Sequence, residues 1–186
     1  MTSTPTQRFG DLLQRDWAHL CELTGRPGRP LRPWNVLGPR FMPVFLLRLA
    51  NALHRHRLGP LAKLVSLFNF QLFGIEVPAS LVIGGGLVLP HTIGTVLGAA
   101  TIGNNVTIFH QVTLGASVAD FQYNPAKRPV VEDGVTIGVG AKVLGPVTLG
   151  SGSTIGANAV VLTSVPAGAT AVGIPARFVQ TGASAP

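Results

Sequence analysis

From Val131 onward, aliphatic side chains recur at every sixth residue: Val131, Ile137, Val143, Leu149, Ile155 and Val161. A period of six matches neither the 3.6 of a helix nor the alternation of a two-faced strand. It matches a chain that turns a corner at each step and points one aliphatic group at a shared axis. The pattern therefore predicts an all-β solenoid, a parallel β-helix built from hexapeptide repeats. The same frame runs back through Val96, Ile102, Ile108 and Leu114, and earlier through Ile75, Leu81 and Leu87. It is interrupted twice, because nine residues separate Leu87 from Val96 and seventeen separate Leu114 from Val131. Extra residues must leave the coil, and insertions in solenoids commonly mark the working face. The first carries Pro90, His91, Thr92 and Ile93. The second runs from Ala116 to Val130 and carries Asp120, Tyr123, Lys127 and Arg128.

Ahead of the repeats the period changes. Residues 1–74 read as an α-helical segment containing a Pro/Gly-rich linker. Helices are predicted over Asp11–Leu23, Pro43–Arg57 and Leu61–Phe73, with a linker over Gly25–Pro39; Gly59 and Pro60 close the second helix and Gly74 the third. The β-helix domain is expected over 75–178, and 179–186 as a disordered tail. The third helix is apolar on more than one face. It requires a cover, which packing against the first coil and neighbouring subunits would supply; peripheral contact of residues 41–73 with a membrane surface, flanked by Arg48, Arg55, Arg57 and Lys63, is the alternative.

The formal charge of +7 is unevenly placed. Residues 1–74 hold ten of the fourteen basic residues and three of the seven acidic ones, while the repeats hold four of each. The solenoid is thus neutral, without Arg or Lys interleaved with aromatics, which argues against nucleic-acid binding. The single cysteine, Cys21, excludes an intrachain disulfide framework and points to the cytoplasm. No secretory leader is read in the polar first residues, and no uninterrupted apolar run long enough to span a bilayer.

Four strings carry a resemblance: Gly74–Pro78 (GIEVP), Pro90–Gly94 (PHTIG), Val135–Gly145 (VTIGVGAKVLG) and Ala171–Arg177 (AVGIPAR). In order and spacing they resemble the hexapeptide-repeat acyltransferases, and are most similar to the serine O-acetyltransferases. The resemblance implies a left-handed β-helix, a homotrimer, and acetyl-CoA as donor lying in the groove between subunits, with no metal. It leaves open whether trimers pair further. It also implies direct transfer, with a histidine taking the proton of an acceptor hydroxyl as that oxygen attacks the thioester.

By position His91 is the base and Glu76, fifteen residues earlier, its orienting carboxylate, although relatives usually carry Asp there. His91 also reads as a corner histidine bonded to a neighbouring turn. His110 is the competing base or a groove-lining donor to substrate. Lys127 and Arg128 align with the family's Arg-His pair that holds the acceptor's carboxylate. Gly138, Val139, Gly140, Lys142, Ala157 and Arg177 map to the donor side, where small residues admit the pantetheine arm and the two cations meet phosphates. Gly138 and Gly140 also read as corner glycines, and Lys142 as a solvated lysine.

Two departures bear on the acceptor. Pro90 stands where serine enzymes commonly place an Asp that helps hold the amino acid, and the second histidine of the long loop is replaced by Arg128. The helical region is shorter than in typical serine acetyltransferases, and the terminal Ile used for docking to the cysteine-forming enzyme is missing, so no such complex is expected. The expected activity is acetyl transfer to a small, serine-like hydroxyl compound. A sugar hydroxyl in surface-polysaccharide assembly and a non-catalytic scaffold are the alternatives. Only two histidines lie within the repeats, which argues against a three-histidine zinc site.

Overall fold

The computed structural model describes residues 8–179. Three helices, α1 (Phe9–Leu23), α2 (Met42–Arg55) and α3 (Gly59–Phe73), precede fourteen short strands that fall into three sheets. One sheet stacks β1 (Ile75–Glu76), β3 (Thr95–Leu97), β6 (Thr113–Gly115), β9 (Lys142–Leu144) and β12 (Val160–Val161). The second stacks β2 (Val82–Ile83), β4 (Thr101–Ile102), β7 (Val130–Val131) and β10 (Thr148–Leu149). The third stacks β5 (Thr107–Ile108), β8 (Thr136–Ile137), β11 (Thr154–Ile155), β13 (Thr170–Val172) and β14 (Arg177–Val179). The chain visits the sheets in rotation, and all pairings are parallel except β13 with β14. This is a coil with three parallel faces.

The six-residue rhythm supplies the axis. Leu97, Ile108, Leu114, Ile137, Val143, Leu149 and Ile155 are wholly buried, each contributing about 1.5–3 kcal/mol by leaving water. A second inward position two residues earlier holds Val106, Val112, Val135, Ala141 and Ala159, smaller groups that fit the corners. This second position corrects the predicted frame of the first coil. Val88 pairs with Thr107 and Leu97 with Leu114, so Leu89 and Leu97 hold the main inward line, whereas Ile75, Leu81 and Leu87 occupy the secondary one and Val96 points outward. Periodicity alone cannot separate the two positions when both are aliphatic. Leu89 to Leu97 is eight residues, so the first insertion adds two residues rather than three.

Gly59 and Pro60 begin α3 rather than ending α2, because a proline in the first turn lacks only an N–H that has no helical partner there. Arg57, predicted within α2, lies outside it at φ 62°. The linker contains a 3₁₀ turn over Pro33–Leu37. Val179, placed in the predicted tail, belongs to β14 opposite Thr170; positions 180–186 lie outside the described residues. Leu61, Leu64, Leu67, Phe68 and Leu72 of α3 are exposed in the protomer. No helix among the described residues is long and apolar enough to cross a membrane.

A buried ion pair fastens the helices to the coil. Asp16 of α1 and Arg48 of α2 are 0% and 1% exposed and meet through two hydrogen bonds of 2.9 Å. Arg48 also donates to the carbonyls of Ile83 and Gly84, while Asp16 Oδ1 accepts the amides of Gly86 and Leu87 at 2.8 Å. Arg48, predicted to flank an exposed apolar surface, is instead an interior cation.

Candidate active site

His91 and His110 stand on one edge of the coil, between the third sheet and the first. The pairing of Val88 with Thr107 makes them counterparts on successive turns, and their rings meet edge to face with centroids 5.5 Å apart. The edge continues upward. Gly140 N donates to His110 O and Asn158 N to Val139 O, which aligns His110 with Val139 and Val139 with Ala157. Four residues singled out by sequence for base, acceptor and donor thus form one column: His91, His110, Val139, Ala157.

The column's backbone is dictated by the coil. Gln111 and Asn158 adopt φ of 59° and 56° at this corner, and Gly140 lies between them at 72°, the left-handed conformation glycine adopts without strain. A Cβ on Gly138 would approach the amide nitrogen of Ala157 to 2.8 Å, so that position must be bare for adjacent turns to stack. Both glycines therefore have a structural duty, and both leave bare backbone on either side of Val139.

His91 is exposed, and its insertion is tied down by Thr92, whose hydroxyl donates to Phe73 O at 2.8 Å. His110 is partly buried, and among the described residues its buried Nδ1 has no hydrogen-bond partner. Glu76 is exposed on β1, opposite Val96. The ion pairs among the described residues are Asp16–Arg48 and Asp120–Arg128, so within the protomer Glu76 is not in salt-bridge contact with His91.

Lys142 turns back on the coil, donating to Gln111 O and, at 3.2 Å, to Thr113 Oγ1. Arg177 is exposed on β14 and contacts Ala176 O. Lys127 is exposed in a 3₁₀ turn over Pro125–Lys127. Arg128 is occupied within the long insertion. It pairs with Asp120 at 2.9 Å, donates to Gly98 O at 3.1 Å, and lies over the Tyr123 ring at 3.7 Å; Tyr123 in turn donates to Ala99 O at 2.7 Å. Burial alone would push the Asp120 carboxyl up, but the Asn124 amide and the Arg128 guanidinium outweigh it and hold the group below the usual carboxylate value. Burial raises the Tyr123 phenol, a shift that Arg128 opposes and Asp120 reinforces. This clasp was not read from the sequence; the signal was present in the arginine, aspartate and tyrosine of one insertion, but their contacts depend on how the loop folds back.

Residues 128–163 match the family model described as bacterial transferase hexapeptide (six repeats). The chain is 40% identical over 149 residues to the serine acetyltransferase of Helicobacter pylori strain J99, across 78% of this chain and 85% of that protein. The crystal structure of Neisseria gonorrhoeae serine acetyltransferase superposes with a TM-score of 0.82 at 27% identity, covering 98% of this chain and 70% of that one. A serine acetyltransferase in complex with CoA matches with a TM-score of 0.73 at 27% identity, covering 92% of this chain and 69% of that one. With the hexapeptide match, 40% identity across most of the chain and the superposition of the fold in agreement, the chain belongs to the serine acetyltransferase family of hexapeptide-repeat acyltransferases.

Proposed function

We propose that the protein is an acetyl-CoA-dependent O-acetyltransferase acting on a small hydroxyl acceptor of serine-like chemistry, with His91 as general base. The observation that carries this reading is the single column of His91, His110, Val139 and Ala157. A thioester lying along the small residues of that edge brings its carbonyl toward the imidazoles. His91 takes the acceptor's proton as the hydroxyl oxygen forms its bond to the carbonyl carbon; the carbon–sulfur bond then breaks, and the departing CoA sulfur receives the proton. His110 serves as a groove-lining donor, and Glu76 orients the base once acceptor and neighbouring subunit complete the site. In this reading the coil is left-handed, three copies assemble with the donor between them, and the enzyme works in the cytoplasm, where Cys21 stays a free thiol.

A sugar hydroxyl as acceptor has its own support. Arg128 is committed to Asp120, Gly98 and Tyr123, which leaves Lys127 as the one cation of the pair free to meet an acceptor carboxylate, and Pro90 offers nothing to an ammonium group. Release of free thiol from acetyl-CoA, measured with serine, homoserine and a panel of sugars, tests both readings. Turnover with serine alone supports the first, turnover with sugars alone the second, and no turnover without CoA binding leaves the solenoid as a scaffold.

A further inference from the structure

A recess of about 760 Å³ lies away from the histidine edge, between the second half of α1, the linker and the start of α2. Its apolar wall is Trp17, Leu20 and Phe41, with the Trp17 and Phe41 rings edge to face at 5.4 Å. Trp17 has already spent its polar atom, donating to Arg29 O at 2.8 Å, so it offers the recess only a ring face. Trp34, 62% exposed, stands at the mouth, with the Arg32 guanidinium over its ring at 5.2 Å. Around this wall stand Arg26, Arg29 and Arg40, and no acidic residue lines the recess. Among the described residues none of these three arginines has a carboxylate partner, in contrast to the buried Arg48 and the clasped Arg128. Their field reaches the floor: burial raises the Cys21 thiol, and Arg29 and Arg26 act against that rise.

Unpaired guanidiniums converging on an indole-lined hollow have a definite chemical complement. Guanidinium forks match phosphate oxygens bidentately, and aromatic faces take a planar base or the apolar face of a sugar ring. The volume is that of a small-molecule site. We propose that this recess binds a ring-bearing diphosphate of the nucleoside diphosphate class, with the phosphates on Arg26, Arg29 and Arg40 and the ring on Trp34 and Trp17. The site is separate from the acetyl-transfer edge and does not depend on which acceptor is used there.

Both tryptophans of the chain belong to this recess, so indole fluorescence of the intact protein reports on it without a label. Titration with UDP is expected to give a saturable change that uridine does not reproduce. The paired substitution Arg26→Ala with Arg29→Ala is expected to weaken the UDP response at least about tenfold. Arg26→Lys with Arg29→Lys, which keeps the charge but not the fork, should fall between, while thiol release from acetyl-CoA and the thermal midpoint stay at wild-type values in both. The proposal is overturned by the absence of a saturable change with millimolar UDP, or by an equal change in the double alanine variant. It is also overturned if phosphatidylglycerol vesicles shift the fluorescence while UDP does not, since the arginines then serve a lipid surface.

Discussion

His91 and His110 occupy equivalent places on successive turns, yet their surroundings differ. The first is exposed on an insertion held by Thr92; the second is packed into the coil with Nδ1 unpartnered. The exposed imidazole has the freedom to meet an acceptor, which supports the proposal of His91 as the base. His91→Ala is expected to lower kcat by about two to four powers of ten without changing the native mass. Steady-state rates with light scattering check this, and full activity in that variant moves the base to His110. If Glu76 orients the base as proposed, Glu76→Gln is expected to lower kcat less than His91→Ala, because the imidazole stays in place.

At the scale of elements, two fastenings hold the helices and the long insertion to the coil. The first is the Asp16–Arg48 pair, which joins α1 and α2 to the Gly84–Leu87 turn. Asp16→Ala strands Arg48 without its carboxylate and orphans the Gly86 and Leu87 amides, so a loss of about 3–5 kcal/mol is expected in denaturant unfolding. The second is the clasp of the long insertion. The Asp120 carboxyl titrates below its ordinary value of 3.8, so its contribution is fully present above that value and is lost as pH falls below 3.8 through the lowered pKa. The protection of amides in residues 116–129 against hydrogen exchange, taken relative to the intrinsic rate at each pH, should therefore be retained at neutral pH and fall in that acid range. In Asp120→Asn the protection should be reduced already at neutral pH.

Across the whole molecule, what the sequence revealed and what it hid divide along a physical line. Ile137, Val143, Leu149 and Ile155 announce the coil because burial on a repeating axis imposes a repeating residue type. The insertion that carries His91 was legible because it interrupts that repeat. The exact inward line of the first coil was hidden, since Leu87 and Leu89 are both aliphatic and both buried, and only backbone pairing tells them apart. The burial of Arg48, which the membrane-contact alternative places beside an apolar surface, was hidden because its partner lies thirty-two residues away, on another helix. The alternatives for Lys142 stayed open, and the clasp around Arg128, which was expected at the acceptor's carboxylate, stayed hidden, for the same reason: a long cationic side chain is positioned by tertiary contacts that no local pattern encodes.

The long insertion leaves the coil after Gly115 and rejoins it at Val130, whose strand pairs with β4 and β10 as if nothing intervened. The insertion is thus a module carried on a scaffold whose strand register passes it by. Under the proposed function, a change inside this loop would alter the acceptor side alone and leave the edge through Val139 and Ala157 in its present register. On that reading a new acceptor would require the exchange of a cassette rather than the redesign of a fold.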